Sequence, residues 1–146
     1  MRILAVDYGD RHIGLALSDH LGLTAQPLET YDLRASDEDN RRFFRDLVRN
    51  REVGRIVIGL PLRMDGSPGT RVDRTHEFAA WLTKAVGVPV EFWDERLTTH
   101  QALRSVREQN IKIKDKRSAV NQIAAVLILQ GYLESRRADE SPPPAD

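Results

Sequence analysis

The chain is predicted to form a three-layer α/β domain with a mixed sheet. Two observations support this prediction: strand-like apolar segments open the sequence, and amphipathic helical segments then alternate with short apolar strands. A length of 146 residues is enough for one domain with its own core. We expect antiparallel pairing among the opening strands and parallel pairing among the later ones.

The first two strands are expected on either side of a tight turn at residues 8–10. The apolar run at residues 3–6 ends on Asp7, and Gly9 lets the chain reverse direction. The returning strand alternates larger apolar residues with small ones, so a helix can pack closely on it. A third extended segment, at about residues 24–31, contains Pro27 and is therefore expected at the margin of the sheet.

The first helix is expected to begin after Ser36. Ser36 and Asp39 form a capping-box pattern in which Asp replaces the preferred Glu. The amphipathic segment that follows would bury Phe43 and Phe44. Residues 55–60 form a continuous apolar strand of the kind that is covered on both faces.

The second half of the chain is predicted to contain three helices and one strand. Ser67 and Pro68 resemble an N-cap and first helical position, opening a helix to about residue 86. A strand is expected at residues 88–93, and Thr98 opens a further helix. Ser118 would cap a last helix over about residues 119–136, which is apolar nearly all round and therefore central to the core. Residues 137–146 are expected to be a disordered tail.

Composition excludes several classes of function. The absence of cysteine excludes disulfides, thiolate zinc sites and cysteine nucleophiles. Net charge is zero, from 22 basic and 22 acidic residues, so overall charge does not indicate a nucleic-acid binder. No segment is apolar for long enough to span a membrane, and the first residues resemble a strand rather than a signal peptide. We therefore expect a cytoplasmic protein without a membrane partner.

Two carboxylates at the ends of strands are the best candidates for chemistry. Asp7 closes the first strand, and Glu95 follows the predicted strand at residues 88–93. If these strands are neighbours, both carboxylates meet at the sheet edge where open α/β sheets bind ligands. Carboxylate oxygens are the ligands that Mg²⁺ and Mn²⁺ prefer. From the residues alone, ion pairs of Glu95 with Arg96 and of Asp7 with Arg11 remain an alternative.

Four separated motifs together resemble one family. They are the Val6-Asp7-Tyr8-Gly9 start, the loop at residues 59–67, the turn at residues 94–99 and the helical segment at residues 123–130. The chain resembles the YqgF-type family of Holliday junction resolvase-like nucleases, also described as pre-16S ribosomal RNA nucleases, over residues 1–136. The resemblance implies a ribonuclease H-like fold with a five-stranded mixed sheet and hydrolysis of phosphodiester bonds that depends on Mg²⁺ or Mn²⁺. It places the first metal-binding aspartate on Asp7 and the catalytic glutamate on Glu95.

One position departs from the pattern of this family. The family usually has Asp before the Ala-Ala pair of the last helix, and this chain has Asn121 instead. Asn121 can still offer a carbonyl oxygen as a metal and catalytic ligand, but its missing charge should weaken metal binding. We expect a site that works with a weaker second metal. Two alternatives remain. In one, Asp115 supplies the missing carboxylate. In the other, the protein binds nucleic acid and cleaves it poorly.

The substrate is expected to be nucleic acid, with RNA such as a ribosomal RNA precursor favoured over branched DNA. A basic connector at residues 112–117 is the best candidate for contacting phosphates, although a solvated loop is the alternative. Arg63, together with Arg71 and Arg74, is a candidate for the opposite wall. The candidate substrate-binding residues are Arg63, Arg96, Thr98, Lys112, Lys114, Lys116 and Arg117.

Two further interpretations would place the chain in other functional classes. A phosphotransferase of the actin-like kinase type would need two such lobes, and the chain supplies one. A non-catalytic ribosome-assembly factor that keeps the fold is supported by Asn121. The sequence leaves a homodimer possible and does not determine the oligomeric state.

Overall fold

The computed structural model describes residues 1–9, 11–62, 69–97 and 116–140. Its elements, in chain order, are β1 (Arg2–Tyr8), β2 (His12–Ser18), β3 (Ala25–Pro27), β4 (Tyr31–Asp32), α1 (Asp37–Asn50), β5 (Val53–Leu60), α2 (Thr70–Val86), β6 (Val90–Asp94), a 3₁₀ turn (Glu95–Leu97) and α3 (Lys116–Glu140).

The sheet runs in the order β3-β2-β1-β5-β6, and the two-residue strand β4 pairs with β2 outside this sequence of five strands. Pairing of β1 with β2 and of β2 with β3 is antiparallel, whereas β1–β5 and β5–β6 are parallel. This confirms the expected mixed sheet. β3, which contains Pro27, lies at the margin as predicted, because proline cannot donate to a neighbouring strand on both sides.

Two hydrophobic clusters lie on opposite faces of the sheet. α1 and α2 cover one face, where Phe44 and Leu82 pack against strand residues such as Ile58. α3 covers the other face, where Ile128 and Leu129 join Ala5, Ala16 and Val57. The small residues on β1 and β2 let α3 approach the centre of the sheet closely, so the protein has three layers.

The start of α1 agrees with the sequence prediction, whereas the starts of α2 and α3 differ from it. The Ser36 hydroxyl accepts a hydrogen bond from the Asp39 amide at 3.3 Å, as the capping pattern predicts. α2 begins at Thr70 after Gly69 rather than at Pro68, and Ser67 and Pro68 lie outside the described residues. Local cap patterns recur by chance, so they locate a helix start only within a few residues.

α3 is longer than predicted at both ends. It begins at Lys116 rather than after Ser118, and it extends to Glu140 rather than to about residue 136. Residues 137–140, which were expected in the tail, therefore belong to the helix, and residues 141–146 lie outside the described part of the chain. The expected domain boundary at residue 136 and the disorder of the tail stay predictions. Within the described residues, no helix is long and apolar enough to cross a membrane.

Candidate active site

Asp7 lies near the carboxyl end of β1, on the face of the sheet that α3 covers. Ile3 and Ala5 pack on that face, and side chains alternate along a strand, so Asp7 follows them. Across the hairpin Asp7 pairs with Gly14 of β2. The turn between the strands is tight, because a Cβ atom on Gly9 would lie 2.5 Å from the carbonyl oxygen of His12. A rigid central strand therefore holds the carboxylate of Asp7.

Glu95 reaches the same place from the other side of β5. It is the first residue of the 3₁₀ turn after β6, and β6 is separated from β1 by β5. The strands of Asp7 and Glu95 are therefore not neighbours, so the condition under which the two carboxylates were expected to meet is not fulfilled. The two carboxyl groups nevertheless form a hydrogen bond, because Glu95 extends over β5 at Gly59.

Burial and mutual repulsion favour the protonated forms of this pair. Burial raises the pKa of Asp7 above its usual value, while Arg71 and the hydrogen bond from Glu95 oppose this effect. Burial, then the charge of Asp7 and the hydrogen bond to Asp7, raise the pKa of Glu95 to about 7. The charge of Asp94 raises it further, and Arg71 opposes the increase. The pair therefore retains a proton near neutral pH, which Glu95 donates to Asp7.

Arg96 and Arg71 act on different carboxyl groups near the site. Arg96 donates from Nη2 to Oδ2 of Asp94 at 2.6 Å and from Nε to both Asp94 oxygens at 3.0 Å, which lowers the pKa of Asp94. The arginine whose charge acts on both Asp7 and Glu95 is Arg71, in the first turn of α2. Arg71 was expected only in a substrate-binding wall, and the structure places its charge beside the acidic pair.

The remaining predicted site residues are not placed. Arg63, Thr98, Lys112 and Lys114 lie outside the described residues, as do the side chains of Lys116, Arg117 and Asn121. The backbone of Lys116, Arg117 and Asn121 belongs to α3. In the described part of the chain no group of three metal-ligating acids or histidines occurs, so Asp7 and Glu95 form a pair there.

The donor set of this pair fits a divalent cation. Two adjacent buried carboxylates repel each other when both are ionised, and a cation between them would remove this cost. Their hard oxygen atoms are the ligand type of Mg²⁺ and Mn²⁺, which are commonly bound through one or two protein carboxylates and substrate phosphates.

Comparison with known proteins identifies the family. Residues 1–135 match the family described as "RuvX: Holliday junction resolvase". The chain belongs to the RuvX family. A relative from Koribacter versatilis, strain Ellin345, is 46% identical over 142 residues, covering 97% of this chain and 92% of its own. A relative from Acetivibrio thermocellus is 46% identical over 137 residues, covering 93% and 97%. Both carry the name "Putative pre-16S rRNA nuclease".

A solved structure supports the fold assignment. The RuvC of T. thermophilus in complex with a Holliday junction substrate has a TM-score of 0.54 at 15% identity and covers 92% of this chain and 96% of its own. This likeness confirms the ribonuclease H-like fold predicted from the motifs. Membership of the RuvX family places the chain among nucleases, which confirms the expected enzyme class.

Gly59 was not predicted to have a role in the site. In the sequence it belongs to the apolar strand at residues 55–60 and to the loop at residues 59–67, yet the structure places it directly beneath the Glu95 carboxylate. A glycine near the end of an otherwise apolar strand is a signal of close approach by another group. The identity of that group could not be read from the sequence, because it depends on the strand order.

Proposed function

We propose that this chain is a divalent-metal-dependent nuclease in which Asp7 and Glu95 hold Mg²⁺ or Mn²⁺ and act as catalytic residues. The observation that carries the proposal is the buried carboxyl pair at the carboxyl edge of β1, β5 and β6. Ionising both members of a buried carboxyl pair this close is costly without a cation, and a strongly shifted pKa such as that of Glu95 is typical of functional sites.

The proposed chemistry depends on whether the carboxyl pair of Asp7 and Glu95 holds a proton or is fully ionised. Without a cation, Glu95 keeps its proton below its raised pKa of about 7 and donates it to Asp7. To act as ligands both groups must be ionised, so loading the site releases that proton. A bound Mg²⁺ or Mn²⁺ would supply Lewis-acid stabilisation of phosphoryl oxygens and lower the pKa of an attacking water. Asn121 would add a neutral oxygen ligand.

The substrate we propose is RNA, with branched DNA as the second possibility. The names of the relatives support RNA, and the family description supports a branched DNA substrate. The positive charge of Arg71 at this edge favours the approach of a phosphate. The proposed substrate-binding residues also include Arg63, Arg96, Thr98, Lys112, Lys114, Lys116 and Arg117. The proposal also includes a cytoplasmic location, which is expected from the sequence, and a homodimer, which the sequence leaves open.

A cleavage assay tests the proposal. Purified protein is incubated with Mn²⁺ or Mg²⁺ and either a pre-16S rRNA fragment or a four-way DNA junction. We expect cleavage of the RNA that Asp7→Asn reduces by at least about 10²-fold, since a charged ligand is lost. Asp46→Asn, on the exposed side of α1, is the matched control and should cleave normally.

Three results would contradict the proposal. Absence of cleavage of both substrates with both metals would remove the nuclease assignment for this chain. Unchanged cleavage by Asp7→Asn would remove the site. Cleavage of the junction alone would replace RNA by branched DNA as the substrate.

A further inference from the structure

We propose that Gly59 is a positioning residue, and that its missing side chain is what allows the Glu95 carboxylate to cross β5 and meet Asp7. The inference deepens the proposed function and rests on it, since it concerns how the two proposed metal ligands come together. It assigns Gly59 no contact with substrate or metal.

The sheet order creates the need for such a residue. β5 lies between β1 and β6, so any contact between Asp7 and Glu95 must pass over β5. Val6 pairs with Ile58, and Gly59 pairs with Trp93. Gly59 therefore lies in the strand between the two acids, at the level of Asp7.

The space above Gly59 is already occupied. A Cβ atom at this position would lie 2.6 Å from Oε1 and 3.1 Å from Cγ of Glu95. It would also lie 2.5 Å from Cδ1 of Ile128, which projects from α3. The Glu95 side chain thus fills the volume that any other residue at position 59 would use for its own side chain.

A glycine here carries a cost that other residues would avoid. Glycine in the interior of a strand destabilises the fold relative to alanine, because it loses more conformational freedom on folding. Val57 and Ile58, which precede Gly59 on β5, are apolar and fully buried, so alanine would otherwise suit the position. The requirement for space above the strand explains why glycine stands there.

Alanine at position 59 would displace one of two groups. Ile128 Cδ1 is the end of a flexible side chain and can turn away within the core. Oε1 of Glu95 belongs to the carboxyl group that forms a hydrogen bond with Asp7, so displacing it would move that group. A second variant, Ile128→Val, removes Cδ1 and thereby separates the two effects.

Binding of Mn²⁺ alone, measured by isothermal titration calorimetry, tests the inference without relying on activity. We expect Gly59→Ala to weaken Mn²⁺ binding about tenfold or more, the range typical when a group that orients a ligand is lost. Gly54→Ala is the matched control: it lies on the same strand, and its Cβ would meet Met1, which is 80% exposed and can move. This control should bind Mn²⁺ as the native chain does.

Two further variants assign the effect to Glu95. The chain with both Gly59→Ala and Ile128→Val should remain weak in Mn²⁺ binding, whereas Ile128→Val alone should bind normally. In a Glu95→Ala background, Gly59→Ala should cause no further loss of affinity and should destabilise the fold less than in the native background, because Oε1 is gone.

Each contrary result identifies what has failed. Native-like binding by Gly59→Ala, or restored binding in the double variant with Ile128→Val, would overturn the inference. Failure of Gly59→Ala to fold in every background would also overturn it, since the space would then serve something other than Glu95. Absence of Mn²⁺ binding by the native chain, or binding unaffected by Asp7→Asn, would instead overturn the proposed function.

Discussion

The carboxyl groups of Asp7 and Glu95 hold a proton more readily than an isolated, exposed carboxyl group would. Burial raises the pKa of both carboxyl groups, and their contact lets one proton be shared between them. Arg71 offsets part of this effect without removing it. The metal-free site is therefore a protonated pair whose proton competes with any cation for the same oxygens.

The raised pKa of Glu95 makes the stability of the protein without a cation depend on pH. Glu95 has a pKa of about 7 when folded and 4.5 as its ordinary value, so the folded state binds more protons between these values. The free energy of unfolding should therefore fall as pH rises from about 4.5 to 7, by on the order of 2 kcal/mol. Urea unfolding in EDTA at a series of pH values measures this slope.

Glu95→Gln is the variant that isolates this contribution. Its amide does not titrate, so the fall in stability between about pH 4.5 and 7 should largely disappear, and the variant should be more stable than the native protein at pH 7. The same slope in both proteins would show that Glu95 is not the group responsible.

Asn121 is the residue at which the expected acidic trio is incomplete. If its side chain adds only a neutral oxygen, Asn121→Asp should strengthen Mn²⁺ binding and increase cleavage by about tenfold or more, because each carboxylate adds a direct attraction for the cation. Calorimetry and the RNA cleavage assay measure the two effects. A variant that gains affinity but no activity would favour the interpretation that the chain binds nucleic acid without efficient cleavage.

Among the secondary-structure elements, those with local signals were predicted best. The Ser36 cap, the antiparallel opening hairpin and the central place of α3 all follow from patterns within a few residues of one another. The place of β5 between β1 and β6 did not follow, because strand order is decided by packing across the whole chain. The structure brings the two acids together over Gly59, a residue that the sequence patterns do not single out.

The cap of α1 gives a prediction at the level of one element. The Ser36 hydroxyl satisfies the Asp39 amide, so Ser36→Ala should lower the free energy of unfolding by about 1 kcal/mol. Ser36→Asp keeps an acceptor and should remain close to the native value. Urea unfolding measures both, and equal losses in the two variants would show that the cap hydrogen bond is not the cause.

For the whole molecule, cation binding and folding should be linked. A cation that binds the folded chain and not the unfolded one raises stability in proportion to the logarithm of its concentration. Mn²⁺ should therefore raise the melting temperature of the native protein, and more strongly at pH 8 than at pH 6, because Glu95 must lose its proton.

Asp7→Asn is the control for this linkage. It should respond to Mn²⁺ much less than the native protein in the same thermal-unfolding measurement. An equal rise in melting temperature in both proteins would place the stabilising ion elsewhere.

The crossing of β5 by Glu95 also determines when the site exists during synthesis. Asp7 is made at the beginning of the chain, β5 follows after β2, β3, β4 and α1, and Glu95 is made only beyond the middle. A growing chain that stops before β6 has Asp7 but not Glu95. Under the proposed function such a truncated product should not cleave RNA in the cell, because only one of the two proposed metal ligands has been translated.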